Sequence, residues 1–165
     1  MAKRVLLIDD DKDEHEIFKM ELHKYDPAID FLSAYDGQEG FDFLLKEPVN
    51  YVFLDINMPV MNGIDLLRLI KRDESLKDIP VIIYSTSDGR GYKKMALDLG
   101  AASYFTKPTT IQGMHKIFET VFGESWQTQS TAKSSTIESG NPLKRKKNRA
   151  DINSIAFDLL WNKNI

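Results

Sequence analysis

The chain has 165 residues, no cysteine and a net charge of −3. That charge divides unevenly, with 15 Lys and Arg against 21 Asp and Glu in residues 1–123 and 7 against 4 in residues 124–165. The length suits one domain of common size with an appendage, the acidic body argues against a nucleic-acid binder, and the missing cysteine excludes disulfide and thiolate chemistry. No apolar run approaches the roughly 20 residues of a membrane helix. Met1-Ala2-Lys3-Arg4 precedes only four apolar residues before Asp9, too few for a secretory signal core, so a cytoplasmic protein is expected.

Val5-Leu6-Leu7-Ile8 reads as a buried strand that stops at Asp9-Asp10-Asp11. Ile17, Phe18, Leu22 and Tyr25 recur at helical spacing, and Pro27 closes that helix. Ile29 to Ala34 makes a weaker strand. Asp36 caps a second helix with Phe41, Leu44 and Leu45 on its apolar face, ended by Pro48. Tyr51-Val52-Phe53-Leu54 is the central strand, apolar enough to be covered on both faces, and it ends in Asp55. Pro59 stiffens the loop that follows, and Gly63 relaxes the turn before a helix carrying Ile64, Leu67, Leu69 and Ile70. Pro80 to Tyr84 is a fourth strand running into Ser85-Thr86-Ser87. Tyr92, Met95, Ala96 and Leu99 outline a fourth helix ending at Gly100. Ser103 to Thr106 is a fifth strand that stops at Lys107-Pro108, and Ile111, Met114, Ile117, Phe118 and Val121 outline a fifth helix.

Five alternations of strand and helix predict an α/β fold: a doubly wound, five-stranded parallel sheet with five helices and strand order 2-1-3-4-5. Asp9, Asp10, Asp55, Ser85 and Lys107 all fall at carboxyl ends of strands, where such sheets hold their ligands. A buried strand ending in a bare carboxylate is costly, so several of them on one edge call for a counter-cation. Oxygen-only donors suit Mg²⁺, and a carboxylate beside that ion is the arrangement that forms an aspartyl-phosphate. Lys107 and a neighbouring hydroxyl would hold the remaining phosphoryl oxygens.

Leu6-Leu7-Ile8-Asp9-Asp10-Asp11, the run from Leu54 to Gly63, Ser85-Thr86 and Thr106-Lys107-Pro108 together resemble the receiver domain of two-component response regulators, the CheY-like family. The resemblance covers about residues 3–122. It implies that Asp55 accepts a phosphoryl group from a sensor histidine kinase or a histidine phosphotransfer protein. It further implies Mg²⁺ on Asp10, Asp55 and the main-chain carbonyl of Asn57, with Asp9 acting through a water. Lys107 would touch the phosphoryl group, and Ser85 or Thr86 would supply the inward hydroxyl. Tyr104 would be the aromatic switch, the Lys107–Pro108 bond would be cis, and Asn57 and Ser87 would sit where the family tunes phosphoryl lifetime. Output would pass to an unknown downstream protein, and a homodimer through the fourth helix, fifth strand and fifth helix stays open.

Other readings compete. Asp9, Asp10 and Asp11 could simply cap the first helix, and Tyr104 could be a static core aromatic. His15, His23 and His115 show no partner spacing and are not expected to act as ligands. A Mg²⁺-dependent phosphohydrolase with an aspartyl nucleophile would need a general acid where Asn57 stands. An unphosphorylated binding module is a third reading. The expected organisation is a receiver over 1–123, a polar and basic linker over 124–150 and a short amphipathic helix over 151–165, with Ile152, Ile155, Ala156, Leu159 and Leu160 on its face and Trp161 beside them. The basic run Lys144-Arg145-Lys146-Lys147-Asn148-Arg149 is a solvated charge cluster, a contact for an acidic partner or nucleic acid, or an artefact of processing.

Overall fold

The computed structural model describes residues 3–87 and 89–123. The expected linker over 124–150, the helix over 151–165 and the basic run lie outside the described residues. The elements alternate: β1 (Arg4–Ile8), α1 (Lys12–Tyr25), β2 (Asp30–Ala34), α2 (Gly37–Lys46), β3 (Tyr51–Leu54), α3 (Gly63–Arg72), β4 (Val81–Ser85), α4 (Arg90–Asp98), β5 (Ser103–Thr106) and α5 (Ile111–Phe122). All strand pairings are parallel, in the order β2-β1-β3-β4-β5. The doubly wound sheet is therefore the one its alternating pattern predicts.

Side chains of a strand alternate between faces, so each central strand feeds two apolar layers. Val5, Leu7, Phe53, Ile82 and Tyr84 meet Phe18 and Leu22 of α1 and Met114, Phe118 and Phe122 of α5. Phe18 is fully buried and stands edge-on to Phe53, Tyr84 and Phe118, with ring centroids 4.9 to 5.5 Å away. Such edge-to-face sets add to the stabilisation from area alone. On the other face α2 comes so close that a Cβ at Gly40 would lie 2.6 Å from Ile8 Cδ1.

Caps explain where the helices begin. Asp11 accepts from the backbone N–H of Asp13 and starts α1. Asp36 accepts from Glu39 N, while Glu39 reaches back to Tyr35 N. Asn62 caps α3 and Thr110 caps α5. Helix α4 begins at Gly89 with no side-chain cap.

Five apolar residues read as helix-face residues from their spacing are on the surface instead. Ile17 is 46% exposed, and Leu45, Tyr92, Met95 and Ile111 are also open. Of α4, only Ala96 is buried. A periodic stripe shows which residues share a face, but a covering layer decides whether that face is buried. Among the described residues, no helix is long and apolar enough to cross a membrane.

Candidate functional site at the carboxyl edge of the sheet

Register brings the carboxylates together. Ile8 pairs with Leu54, so the next residues, Asp9 and Asp55, leave neighbouring strands side by side. Asp9 and Asp55 are both buried and Asp10 is exposed, yet one carboxylate oxygen from each lies within 4.8 Å of the others. Asp11, the third aspartate of the run, is occupied as the helix cap. The run thus divides its labour, and only two of its carboxylates join the cluster.

The backbone prepares each acid. Asp9 Oδ1 accepts from Asp11 N at 3.0 Å, and Asp55 Oδ2 accepts from Asn57 N at 3.1 Å. Asp55 Oδ1 is buried and has no hydrogen-bond partner among the described residues. A charged oxygen in that state is costly unless a cation or donor meets it. The loop is held tightly beneath: Met58 N and Gly63 N both donate to the Ile56 carbonyl. A Cβ on Gly63 would come within 2.1 Å of the Asp55 carbonyl oxygen, so α3 starts against the acid's own backbone. That close approach, more than a relaxed turn, is the reason for glycine at this position.

Lys107 supplies the opposite charge. Its chain N–H donates to Ser85 O at 2.9 Å, which fixes the residue at the end of β5. Its Nζ lies 2.6 Å from Asp9 Oδ2 and 3.9 Å from Glu14 Oε2, and the side chain is 11% exposed. Burial disfavours the ammonium, but the contact with Asp9 and the charges of Asp9, Asp55 and Glu14 outweigh it and hold the Lys107 pKa above the ordinary lysine value. Burial pushes the Asp9 carboxyl upward, more than Lys107 and the Asp11 N–H pull it down.

On the β4 side, Ser85 is fully buried and Thr86 exposed, so the inward hydroxyl is that of Ser85. Thr86 stays out of the buried cluster because successive side chains at a strand end face opposite ways. Ser85 Oγ accepts from Ser87 N at 3.4 Å, and Asn57 Nδ2 donates to Ser87 Oγ at 2.9 Å across the edge. Tyr104 is buried, and its hydroxyl donates to the Ser87 carbonyl at 2.5 Å, tying β5 to the loop before α4. The Lys107–Pro108 bond, for which a cis form is implied by the resemblance, is trans, since no peptide bond among the described residues is cis. Trans is the ordinary preference even before proline.

A scan of family models matches residues 5–119 to the response regulator receiver domain. The chain belongs to this receiver family. A chemotaxis protein CheY homolog of Campylobacter jejuni is 33% identical over 121 residues, which cover 73% of this chain and 92% of that protein. The crystal structure of the phosphorylated cyanobacterial phytochrome response regulator RcpA superposes with a TM-score of 0.68 at 26% identity, covering 78% of this chain and 96% of that one. CheY4 of Vibrio cholerae, at 22% identity and a TM-score of 0.66, shares the fold, with 73% of this chain and 99% of that one covered. The chain is thus a CheY-like receiver of two-component signalling, a class that works with histidine kinases and downstream targets.

Two histidines have partners that spacing along the chain does not reveal. The buried His15 donates from Nε2 to the Asp9 carbonyl at 2.8 Å, with its ring packed on Tyr35 at a centroid distance of 4.5 Å. His115 reaches Glu21 at 3.0 Å, a contact between residues 94 apart. Glu14, the acid nearest Lys107 after Asp9, also escaped the motif reading, because it belongs to α1 and not to a strand end.

The acidic cluster suits a hard divalent cation. Its donors are all oxygens, two of the three carboxylates are buried, and the unmet Asp55 Oδ1 lies among them. That donor set matches Mg²⁺ better than a softer metal, which would favour imidazole or thiolate.

Proposed function

We propose that this receiver takes a phosphoryl group onto Asp55 from the phosphohistidine of a kinase or phosphotransfer protein, with Mg²⁺ as its cofactor. The observation that carries this reading is the meeting of Asp9, Asp10 and Asp55 within 4.8 Å, with the Lys107 ammonium on Asp9. In the transfer, an Asp55 carboxylate oxygen forms the new O–P bond as the histidine N–P bond breaks, and the electron pair returns to the ring nitrogen. Asp10, Asp55 and the Asn57 carbonyl would hold the ion, with Asp9 behind a water. Bound there, Mg²⁺ supplies neutralisation of charge on the phosphoryl oxygens.

The chain's own residues do the rest. The Asn57 N–H aligns Asp55 through Oδ2. Lys107 is already charged and close, and it can move from Asp9 to a phosphoryl oxygen. Ser85 offers a buried hydroxyl from the next strand. Its Oγ and the Ser87 N–H share one loop, and the same loop holds Tyr104 through the Ser87 carbonyl. A new anion at Asp55 therefore reaches α4 and β5 through that loop, and output passes by protein contact on this side. At position 57 stands an amide bonded to Ser87, so the general acid that a phosphohydrolase would need there is missing.

Incubation with Mg²⁺ and acetyl phosphate, followed by intact mass measurement, should add one phosphate to the wild type and none to Asp55→Asn. Chelating the metal should abolish the addition. Phosphate on Asp55→Asn, or none on the wild type with metal present, would overturn the proposal.

A further inference from the structure

Glu14 is a first-turn residue of α1, where acids commonly do no more than favour the positive end of the helix. This one is held. Tyr84, 1% exposed in β4, donates its hydroxyl to Glu14 Oε1 at 2.9 Å across 70 residues of sequence. The other oxygen, Oε2, lies 3.9 Å from Lys107 Nζ, and the Glu14 side chain is largely covered. The Lys107 ammonium also stands 5.8 Å from the centre of the Tyr84 ring, within reach of a cation–π attraction. Glu14 and Tyr84 thus both lie against the Lys107 ammonium, and each fixes the other.

We infer that Glu14 and Tyr84 form a positioning pair for Lys107, a second anchor that keeps its ammonium aimed at Asp55 when Asp9 is otherwise engaged. The inference builds on the proposed phosphoryl transfer, and its physical basis is rotational freedom. A long lysine chain tethered to one carboxylate can swing about that contact, and each such chain carries much rotamer entropy. Asp9 is a shared tether, because its Oδ1 already accepts from Asp11 N and its carboxylate faces Asp10 and Asp55. A second carboxylate, itself locked by a buried phenol, removes the swing. Tyr84 suits that role because burial and the Glu14 charge push its pKa well above the ordinary tyrosine value, so it stays a hydrogen-bond donor.

Two isosteric changes test the pair. Tyr84→Phe keeps the ring and removes the donor; Glu14→Gln keeps the shape and removes the charge. Each should slow phosphate uptake from acetyl phosphate at saturating Mg²⁺ by about three- to tenfold, less than the ~100-fold that a 1 Å misplacement can cost. In a Lys107→Ala background neither change should slow uptake further, whereas a merely structural role would lower the rate in both backgrounds. Independently of any phosphodonor, NMR relaxation of the Lys107 Cε methylene should show it rigid in the wild type and loosened in both variants. Wild-type uptake rates in both variants, or unchanged methylene relaxation, would overturn the inference. Should the wild type take up no phosphate, the proposed transfer falls while the relaxation data still decide whether the pair holds Lys107. Should Tyr84→Phe fail to fold, Glu14→Gln alone carries the comparison.

Discussion

Helices α1 and α4 pack against one sheet yet are fastened in different ways. Helix α1 starts on the Asp11 cap, buries Phe18 among three other aromatic rings and buries Glu21 where Lys24 and His115 can meet it. Helix α4 starts on an uncapped glycine, buries Ala96 alone and leaves Tyr92, Met95 and Leu97 open. Both follow strand ends that contribute to the site. The difference shows where motion is easiest: the flank carrying the acids is fixed by buried side chains, whereas α4 buries only Ala96 and its flank relies on the polar contacts of Ser87 with Asn57, Ser85 and Tyr104. Regions with few buried apolar contacts open at lower free energy than the core.

The comparison breaks most visibly at the aromatic cluster. Phe18→Ala should cost about 3–5 kcal/mol in urea unfolding, while Met95→Ala should stay within ~0.5 kcal/mol. A similar cost for both would show that α4 is packed as firmly as α1.

Next is the acid limb. Lys24 holds the Glu21 pKa below its ordinary 4.5, against the opposing effect of burial and with help from His115. A depressed carboxylate stabilises the fold above its unfolded pKa, and that stabilisation fades as pH falls through the folded value. Glu21→Gln should therefore destabilise the protein at pH 7, and the gap to wild type should close below the ordinary 4.5, as followed by denaturant titrations across that range.

Smaller changes at the helix starts sharpen the contrast. Asp11→Ala should cost about 1 kcal/mol through loss of the cap. Gly89→Asp should gain a few tenths of a kcal/mol and slow hydrogen exchange of the α4 amides, leaving those of α1 unchanged.

Much of this architecture was legible in the residues. Short apolar runs ending at Asp9, Asp55 and Lys107 marked the parallel strands, and parallel topology then brought those ends to one edge. What stayed hidden depends on which helix covers which face. Ile17 and Phe18 look equivalent as apolar residues of one helix, but only Phe18 turns under the sheet's aromatic layer. His15, the Glu21–His115 contact and the Glu14–Tyr84 bond link elements far apart in sequence, so no local spacing announces them. The choice between Ser85 and Thr86 turned on which way a strand end faces, a matter of one residue of register.

The loop behind Asp55 contains one residue at odds with its own preferences. Val60 adopts φ 66° and is 92% exposed, a conformation that branched side chains resist and that its own contacts scarcely repay. Its neighbours dictate the shape instead: Met61 is buried against Gly37, and Gly63 lies flat on the Asp55 carbonyl. Position 60 is thus a bystander in a rigid bend, open to exchange for asparagine or glycine. Such a swap would harden the protein against heat without disturbing the aspartates next door.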